Sequence, residues 1–225
     1  MRVLVACEES QEVCKAFRAR GHEAYSCDIQ ECSGGHPEWH IQGDALAVIN
    51  GQCTFWDAGG GIHDMPERWD LIIAHPPCTY LSNAGAARLY KNVHDGDFQM
   101  INVERLKKGI EGRDFFMRFY YANCDRIAIE NPIPSGIYVM PKASQMIQPY
   151  EFGHPYSKKT LLWLKGLPPL IPTEIVTGKI ISWVSGGSKK ADGTPRQQCG
   201  MTFRDSFTKS KTFPGIAKAM AEQWG

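Results

Sequence analysis

No apolar run in this 225-residue chain approaches the ~20 residues that a membrane-spanning helix needs. The first apolar segment, Arg2 to Ala6, is also too short for the core of a signal peptide. Eight cysteines occur without the dense, regular spacing of a secreted disulfide scaffold, so we expect reduced thiols. Together these absences predict a soluble cytoplasmic protein with no membrane partner.

A strong excess of charge of one sign is absent as well. Lys and Arg number 25 and Asp and Glu 24, which leaves a formal net charge of +1. Any surface for nucleic acid must therefore be a local patch. The chain is long enough for one sizeable core but too short for two ordinary domains, and it has no internal repeat. We predict one domain over residues 1–225.

What the chain does contain is a regular alternation of strand and helix patterns. Four apolar segments have the length of buried strands, at residues 2–6, 23–27, 69–74 and 126–129. Apolar residues at helical spacing follow the first of them and recur over 103–122. Later segments predict strands over 160–164 and 179–184, a loop over 185–211, and a helix over 215–223 opened by Pro214. This alternation predicts an α/β fold with a parallel sheet.

Polar or reactive side chains come at the ends of three of these strands. Asp28 follows the second strand, Cys78 follows the strand at 69–74, and Glu130 follows the strand at 126–129. The carboxyl ends of parallel strands gather at one edge of a sheet, where ligands bind. The sequence therefore predicts a site at this edge that contains one thiol and two carboxylates.

Cys78 and Glu130 suit the alkylation of carbon 5 of a pyrimidine. That carbon is a poor nucleophile until a thiolate adds to carbon 6 and turns the ring into an enamine. A buried carboxyl with a raised pKa can protonate the ring nitrogen as charge develops there. Taken singly, Cys78 is explained as a small buried hydrophobe and Glu130 as an exposed strand-end carboxylate. Their combination, with Pro-Pro before the thiol and Asn-Pro after the carboxylate, favours the chemistry.

The same residues carry a family resemblance. His75-Pro76-Pro77-Cys78 and Glu130-Asn131-Pro132 resemble the Pro-Cys and Glu-Asn signatures of the DNA cytosine-C5 methyltransferases. The whole chain resembles the short methyltransferase-like proteins of bacteriophages and prophages. The resemblance implies a Rossmann-like class I methyltransferase sheet with helices on both faces, S-adenosyl-L-methionine as cofactor, DNA as substrate and, for a phage-encoded protein, the host cytoplasm.

Site roles follow from the resemblance, residue by residue. Cys78 becomes the nucleophile, Glu130 grips the ring nitrogen and amino group, and Lys158 occupies the first arginine position of a Gln-x-Arg-x-Arg run. A lysine supplies the charge but not the guanidinium fork. The implied cofactor-binding residues are Ala6, Cys7, Glu8, Ser10, Asp28, Asp44, Pro76 and Thr212. Among these, Asp28 would hold the ribose, and Asp44 would approach the adenine. The first turn, Cys7 to Gln11, lacks the glycines of the larger enzymes.

A separate recognition domain is replaced by the short stretch 174–211, a minimal C-terminal insertion. It carries seven Lys or Arg and three Asp or Glu, which suits phosphate contact. So small a module predicts a loose sequence preference, a single-stranded substrate, or help from a homodimer or a partner subunit. Asn83, Arg88 and Lys91 are further candidates for a loop over the base.

Several alternatives stay open at this point. The same Cys-addition chemistry serves a related carbon-5 modification of RNA, of a free nucleotide, or with another one-carbon donor. A catalytically silent, DNA-binding decoy of methyltransferase shape is a third hypothesis. The spacing of Cys27, Cys32, His36 and His40 is that of a zinc knuckle, but Cys27 belongs to a predicted strand, so we predict no metal site. The role of His75 is left open.

Overall fold

A seven-stranded sheet forms the centre of the molecule. The computed structural model describes residues 1–86, 88–92, 99–183, 186–189, 195–197 and 211–225. The strands of the sheet are β1 (Arg2–Ala6), β2 (Glu23–Asp28), β3 (His40–Gln42), β4 (Leu71–Ala74), β5 (Ile127–Pro132), β6 (Gln145–Ile147) and β7 (Thr160–Lys165). Their order in space is β3-β2-β1-β4-β5-β7-β6.

The five strands from β3 to β5 run parallel, as the alternation predicts. The strand β7 is antiparallel to both of its neighbours, β5 and β6. The order of the sheet reverses between β1 and β4, and in open α/β sheets the crevice at such a reversal is where ligands bind. The structure is thus a mixed α/β fold with a mostly parallel sheet.

Helices cover both faces of this sheet. They are α1 (Glu12–Arg18), the short α2 (Asn83–Ala86), α3 (Val103–Tyr120) and α4 (Pro214–Trp224). Successive side chains of β1 enter different cores, because a strand alternates its faces. Val3 is buried in a cluster with Phe17 of α1 and Met220 of α4, whereas Leu4 is buried in a cluster with Phe116 of α3.

The remaining elements are short and lie outside the central sheet. Single-turn 3-10 helices occur at Pro37–Trp39, Ala45–Ala47, Gly136–Tyr138 and Pro149–Glu151. Two-stranded pairs join Cys53–Trp56 to Ile62–Met65, Tyr90–Asn92 to Gln99–Ile101, Tyr156–Ser157 to Ile181–Ser182, and Gly186–Lys189 to Pro195–Gln197. Within the described ranges no helix has both the length and the apolar character to cross a membrane.

Two strand predictions differ from the structure. The strand β5 does not end at residue 129 but continues to Pro132, because β7 pairs with its far half in the register Pro132 to Thr160. The strand predicted over 179–184 is shorter among the described residues, where Ile181–Ser182 forms a strand that pairs outside the central sheet. Most of the loop predicted over 185–211 lies outside the described residues.

Candidate active site

The turn that carries Cys78 begins where β4 ends, at the reversal of the sheet. Two prolines restrict its backbone, and neither has an N–H to satisfy. The Nδ2 of Asn131, which is 2% exposed, donates to the Pro76 carbonyl at 2.7 Å. The backbone N–H of His75 donates to the Ala6 carbonyl at 2.9 Å. The turn is therefore held from β5 and from β1, with the thiol half-buried.

Glu130 lies in the part of β5 that extends beyond β4. The last register pair between the two strands joins Ala74 to Ile129, so Glu130 is the first residue past it. Its Oε2 accepts a hydrogen bond from His75 Nδ1 at 3.1 Å. Because an ionised carboxylate can only accept, Nδ1 carries the proton. The two side chains are only 15% and 11% exposed.

Lys158, which lies two residues before β7, is the third residue of this group, after Cys78 and Glu130. Its positive charge favours ionisation of both the Cys78 thiol and the Glu130 carboxyl. The three residues that the sequence assigns to catalysis therefore lie within electrostatic reach of one another. Cys78 follows β4 and Glu130 lies in the far half of β5, which are parallel strands, whereas Lys158 precedes the antiparallel strand β7.

The pKa values of Cys78 and Glu130 are shifted in opposite directions. Burial raises the pKa of the Cys78 thiol, the charge of Glu130 raises it further, and Lys158 only partly offsets them. Burial also opposes ionisation of Glu130. The hydrogen bond from His75 and the charges of Lys158 and His75 nevertheless hold the pKa of that carboxyl below its ordinary value. The pKa of this carboxyl is therefore lowered, whereas a raised pKa suits a general acid, and no sequence pattern revealed the His75 donor.

A second group of polar side chains lies at the ends of β1, β2 and β3. Cys7 has a left-handed backbone, with φ at 59°, in the turn that lacks glycine. Burial and the charges of Asp28, Cys27 and Asp44 raise the pKa of its thiol. The charges of Asp28 and Asp44, two of the predicted cofactor carboxylates, therefore both act on the Cys7 thiol.

Each of these carboxylates has one oxygen engaged by its own turn. Asp28 Oδ1 accepts from the Gln30 N–H and Asp44 Oδ1 from the Leu46 N–H, both at 2.9 Å. The second oxygen of each has no partner among the described residues. The pair can accept hydrogen bonds from hydroxyl or amino groups of a ligand.

Glu8 has a different position from the one that the resemblance suggests. It is 4% exposed, and its two carboxylate oxygens accept the N–H groups of Val13 at 2.7 Å and Cys14 at 3.2 Å. These donors belong to the first turn of α1, which has no intrahelical acceptors for them. Glu8 thus caps a helix with both of its oxygens. Ser10, the next predicted ligand residue, is buried as well.

Lys211, the residue before Thr212, is connected to the first turn through Ser33. Lys211 Nζ donates to Ser33 Oγ at 3.1 Å, and the Ser33 N–H donates to the Glu9 carbonyl at 2.8 Å. Thr212 is half-buried, just before α4. A role for Thr212 in binding the cofactor stays a prediction.

The candidate zinc ligands have other partners. His40 contacts Ser26 Oγ and the Gln30 carbonyl, each at 2.9 Å, and His36 contacts Glu38 Oε1 at 3.0 Å. Across the described ranges no three His, Cys, Asp or Glu side chains are arranged to hold a metal ion.

Pattern reasoning missed three residues that build the site: His75, Asn131 and Arg105. The first two stand in the quoted motifs, so proximity to Cys78 and Glu130 was the available signal. Arg105 of α3 donates to the carbonyls of Thr79 and Gly85, each at 3.2 Å, and holds the segment after Cys78.

Of the loop candidates, Asn83 and Arg88 are exposed, and the side chain of Lys91 lies outside the described part.

Comparison with known proteins gives a distant structural likeness. No family model matches the chain, and no curated protein matches it. A crystal structure from E. coli, provisionally named as a DNA modification methyltransferase encoded within a prophage, aligns with 80% of this chain at 15% identity and a TM-score of 0.41. The chain spans about half of that protein, 53% of its length. The functional argument therefore rests on the residues of this chain.

Proposed function

We propose that this protein methylates carbon 5 of cytosine in DNA, with S-adenosyl-L-methionine as the methyl donor and Cys78 as the covalent nucleophile. One observation carries the proposal: a half-buried thiol, a carboxylate and an ammonium group act on one another at the carboxyl edge of a mostly parallel sheet. Addition of a thiolate to a pyrimidine uses a sulfur nucleophile and an acid for the ring nitrogen, and a nearby positive charge favours the thiolate.

In the proposed reaction the Cys78 thiolate forms a bond with carbon 6 of the flipped-out base. The π-electron pair between carbons 5 and 6 shifts toward ring nitrogen 3, which takes a proton from Glu130. When bound, S-adenosyl-L-methionine would supply its methyl group to carbon 5, and its sulfonium would leave as a neutral thioether. The proton on ring nitrogen 3 then returns to Glu130, and solvent water takes the proton from carbon 5. The electron pair of that C–H bond re-forms the double bond between carbons 5 and 6 as the bond between sulfur and carbon 6 breaks, which releases the product and restores the Cys78 thiolate.

Lys158 has two tasks in this scheme. Its charge favours the thiolate of Cys78, which burial and Glu130 disfavour. It also keeps Glu130 ionised between turnovers. The amount of reactive thiolate is therefore set by a balance of two opposite charges next to the sulfur.

The residues at the ends of β1, β2 and β3 suit the cofactor. The outer oxygens of Asp28 and Asp44 would accept hydrogen bonds from the ribose hydroxyls and from the adenine amino group. Their negative charge matches a ligand that carries a positive sulfonium. When bound, the cofactor supplies an electrophilic methyl group. Glu8 takes no direct part, because both of its oxygens cap α1.

A mechanism-based trap tests the proposal. DNA that contains 5-fluorocytosine is incubated with the protein and S-adenosyl-L-methionine, and a covalent complex is sought by denaturing electrophoresis and peptide mass spectrometry. Fluorine replaces the proton that must leave carbon 5, so the adduct through Cys78 should persist. Cys78→Ser should form none, whereas the half-buried Cys32→Ser is the matched control and should be trapped like the native protein.

The trap also separates the alternatives. An absence of adduct on single- and double-stranded DNA, with cofactor binding confirmed by calorimetry, would overturn DNA methylation. An adduct with 5-fluorocytosine in RNA alone would identify the related RNA modification instead.

A further inference from the structure

His75 lies three residues before the proposed nucleophile and interacts with two carboxylates. Its Nδ1 is 3.1 Å from Glu130 Oε2, and its charge also acts on the Glu8 carboxyl in the turn before α1. The opposite ring nitrogen, Nε2, is buried and has no hydrogen-bond partner among the described residues. An apolar side chain would avoid that unpaired atom, so a histidine at this position lowers the stability of the fold.

The tautomer of this ring follows from its neighbours. The ionised Glu130 requires a proton on Nδ1, so the neutral imidazole has Nε2 as its vacant acceptor. A second proton at Nε2 would give an imidazolium whose charge acts on both Glu130 and Glu8. Asn or Leu at this position could not take up a proton. His75 can, and it can therefore carry a proton while Glu130 is ionised.

The proposed reaction needs such a proton. Glu130 is ionised in the unliganded protein, but it must act as an acid when sulfur bonds to carbon 6. Lys158 acts on Glu130 through its charge, which favours the ionised carboxyl. The group with a donor hydrogen already directed at Glu130 Oε2 is the His75 imidazole.

We propose that His75 is the positioning residue that holds Glu130 through Oε2 and supplies the proton that Glu130 transfers to ring nitrogen 3. In the imidazolium form, Nδ1 passes its proton to Glu130 and the ring keeps the proton on Nε2. Glu130 then donates as the bond between sulfur and carbon 6 forms. After methyl transfer, ring nitrogen 3 returns this proton to Glu130, so the pair regains its proton within each turnover, while the proton from carbon 5 passes to solvent. This inference rests on the proposed function and adds a role that Cys78, Glu130 and Lys158 do not fill.

The groups that face this ring determine how pH acts on it. They are Glu130 from β5, Glu8 from the turn after β1, Lys158 from the segment before β7, and Cys78 on the turn of His75 itself. Activity should need the protonated pair and the Cys78 thiolate together. The rate should therefore rise with pH as the thiolate forms and fall again when the pair has lost the proton that the reaction uses, which gives a bell-shaped profile.

The test compares His75→Asn and His75→Phe with the native protein. An Asn amide places a donor near the position of Nδ1 but cannot titrate, whereas Phe keeps the ring volume and has no donor. We expect His75→Asn to retain binding of DNA and cofactor, to form the 5-fluorocytosine adduct about 10²-fold more slowly, and to lose the descending limb of the profile. His22→Asn, a histidine outside the site, is the matched control and should behave like the native protein.

A second measurement does not depend on turnover. Without its donor in His75→Phe, Glu130 should hold its proton more readily, and less negative charge would then act on Cys78. The pH dependence of Cys78 alkylation by iodoacetamide should therefore move to lower pH, as Glu130→Gln should also make it do. Circular dichroism checks that each variant is folded.

The outcomes are distinguishable. If the native protein forms no adduct, the proposed function fails, and the alkylation result still decides whether His75 controls Glu130. If the native protein is trapped but His75→Asn keeps the full bell-shaped profile, or His75→Phe alkylates with an unchanged pH dependence, the proposed role of His75 is overturned.

Discussion

At the scale of single residues, the reactivity of Cys78 depends on the opposing charges of Glu130 and Lys158, which come from neighbouring strands. Burial and Glu130 raise the pKa of the thiol, and Lys158 lowers it. A small change in either neighbour should therefore change the thiolate fraction at a given pH.

The alkylation of Cys78 by iodoacetamide should accelerate as pH rises, because only the thiolate reacts and its pKa is above the ordinary value. Glu130→Gln removes a negative charge and should move the profile to lower pH. Lys158→Met removes a positive charge and should move it to higher pH. Mass spectrometry of the Cys78 peptide measures both rates. Shifts of the same sign in the two variants would contradict this balance of charges.

A second residue-scale effect concerns Asn131, which joins the two halves of the site. Its buried amide satisfies the Pro76 carbonyl, so Asn131→Ala should leave that oxygen unpaired and lower the free energy of unfolding by about 1–3 kcal/mol. Urea denaturation measures the change. Asn123→Ala, at an exposed position, should change the unfolding free energy by about 0.5 kcal/mol or less. An equal loss in both variants would exclude the bridging role.

At the scale of elements, the close approach of α3 to the chain after β5 supports the site. Gly109 is buried in α3, and a Cβ added there would overlap the phenol ring of Tyr138 in the 3-10 helix Gly136–Tyr138. Gly112, one turn further along, would place its Cβ 3.5 Å from Leu81 Cγ, an ordinary contact. The same helix thus contains one glycine at which a side chain would clash, Gly109, and one at which an alanine would fit, Gly112.

We predict that Gly109→Ala lowers the unfolding free energy by about 1–3 kcal/mol, because the overlap forces α3 away from Tyr138. Gly112→Ala should raise it by about 0.5–1 kcal/mol, since alanine favours a helix and fits the space. Equilibrium unfolding in urea measures both variants under the same conditions. A gain in stability for Gly109→Ala would show that the close packing is unimportant.

At the scale of the whole molecule, a ligand that binds the ends of three strands should stabilise the entire fold. S-adenosyl-L-methionine at 100 times its Kd should add about 2.7 kcal/mol. For a chain of this length that corresponds to a rise of roughly 5–10 °C in Tm. Differential scanning calorimetry with and without the cofactor measures the shift.

Asp28→Asn should remove most of this shift, because it weakens an acceptor proposed for the ribose. Asp114→Asn, on the exposed face of α3, is the matched control and should keep the full shift. A shift that survives in Asp28→Asn would place the cofactor elsewhere, and the absence of any shift in the native protein would contradict the proposed cofactor.

Much of the fold could be predicted from local patterns. The strands β1, β2 and β4 and the helices α3 and α4 were each predicted to within a few residues. The hydrophobic periodicity of a buried strand or an amphipathic helix is present in consecutive residues. It can therefore be recognised without knowing which element packs against it. The proximity of Cys78 and Glu130 agrees with the motifs and with parallel topology, whereas Lys158 was suggested by the family resemblance alone and precedes an antiparallel strand.

Only the tertiary structure decided how these side chains behave. His75 and Glu130 are 55 positions apart, yet their hydrogen bond helps to lower the pKa of the Glu130 carboxyl. Glu8 is adjacent to the predicted cofactor turn, but the N–H groups of α1 engage both of its oxygens. Ionisation and hydrogen bonding depend on distances between segments that are remote in sequence, and no local pattern contains those distances.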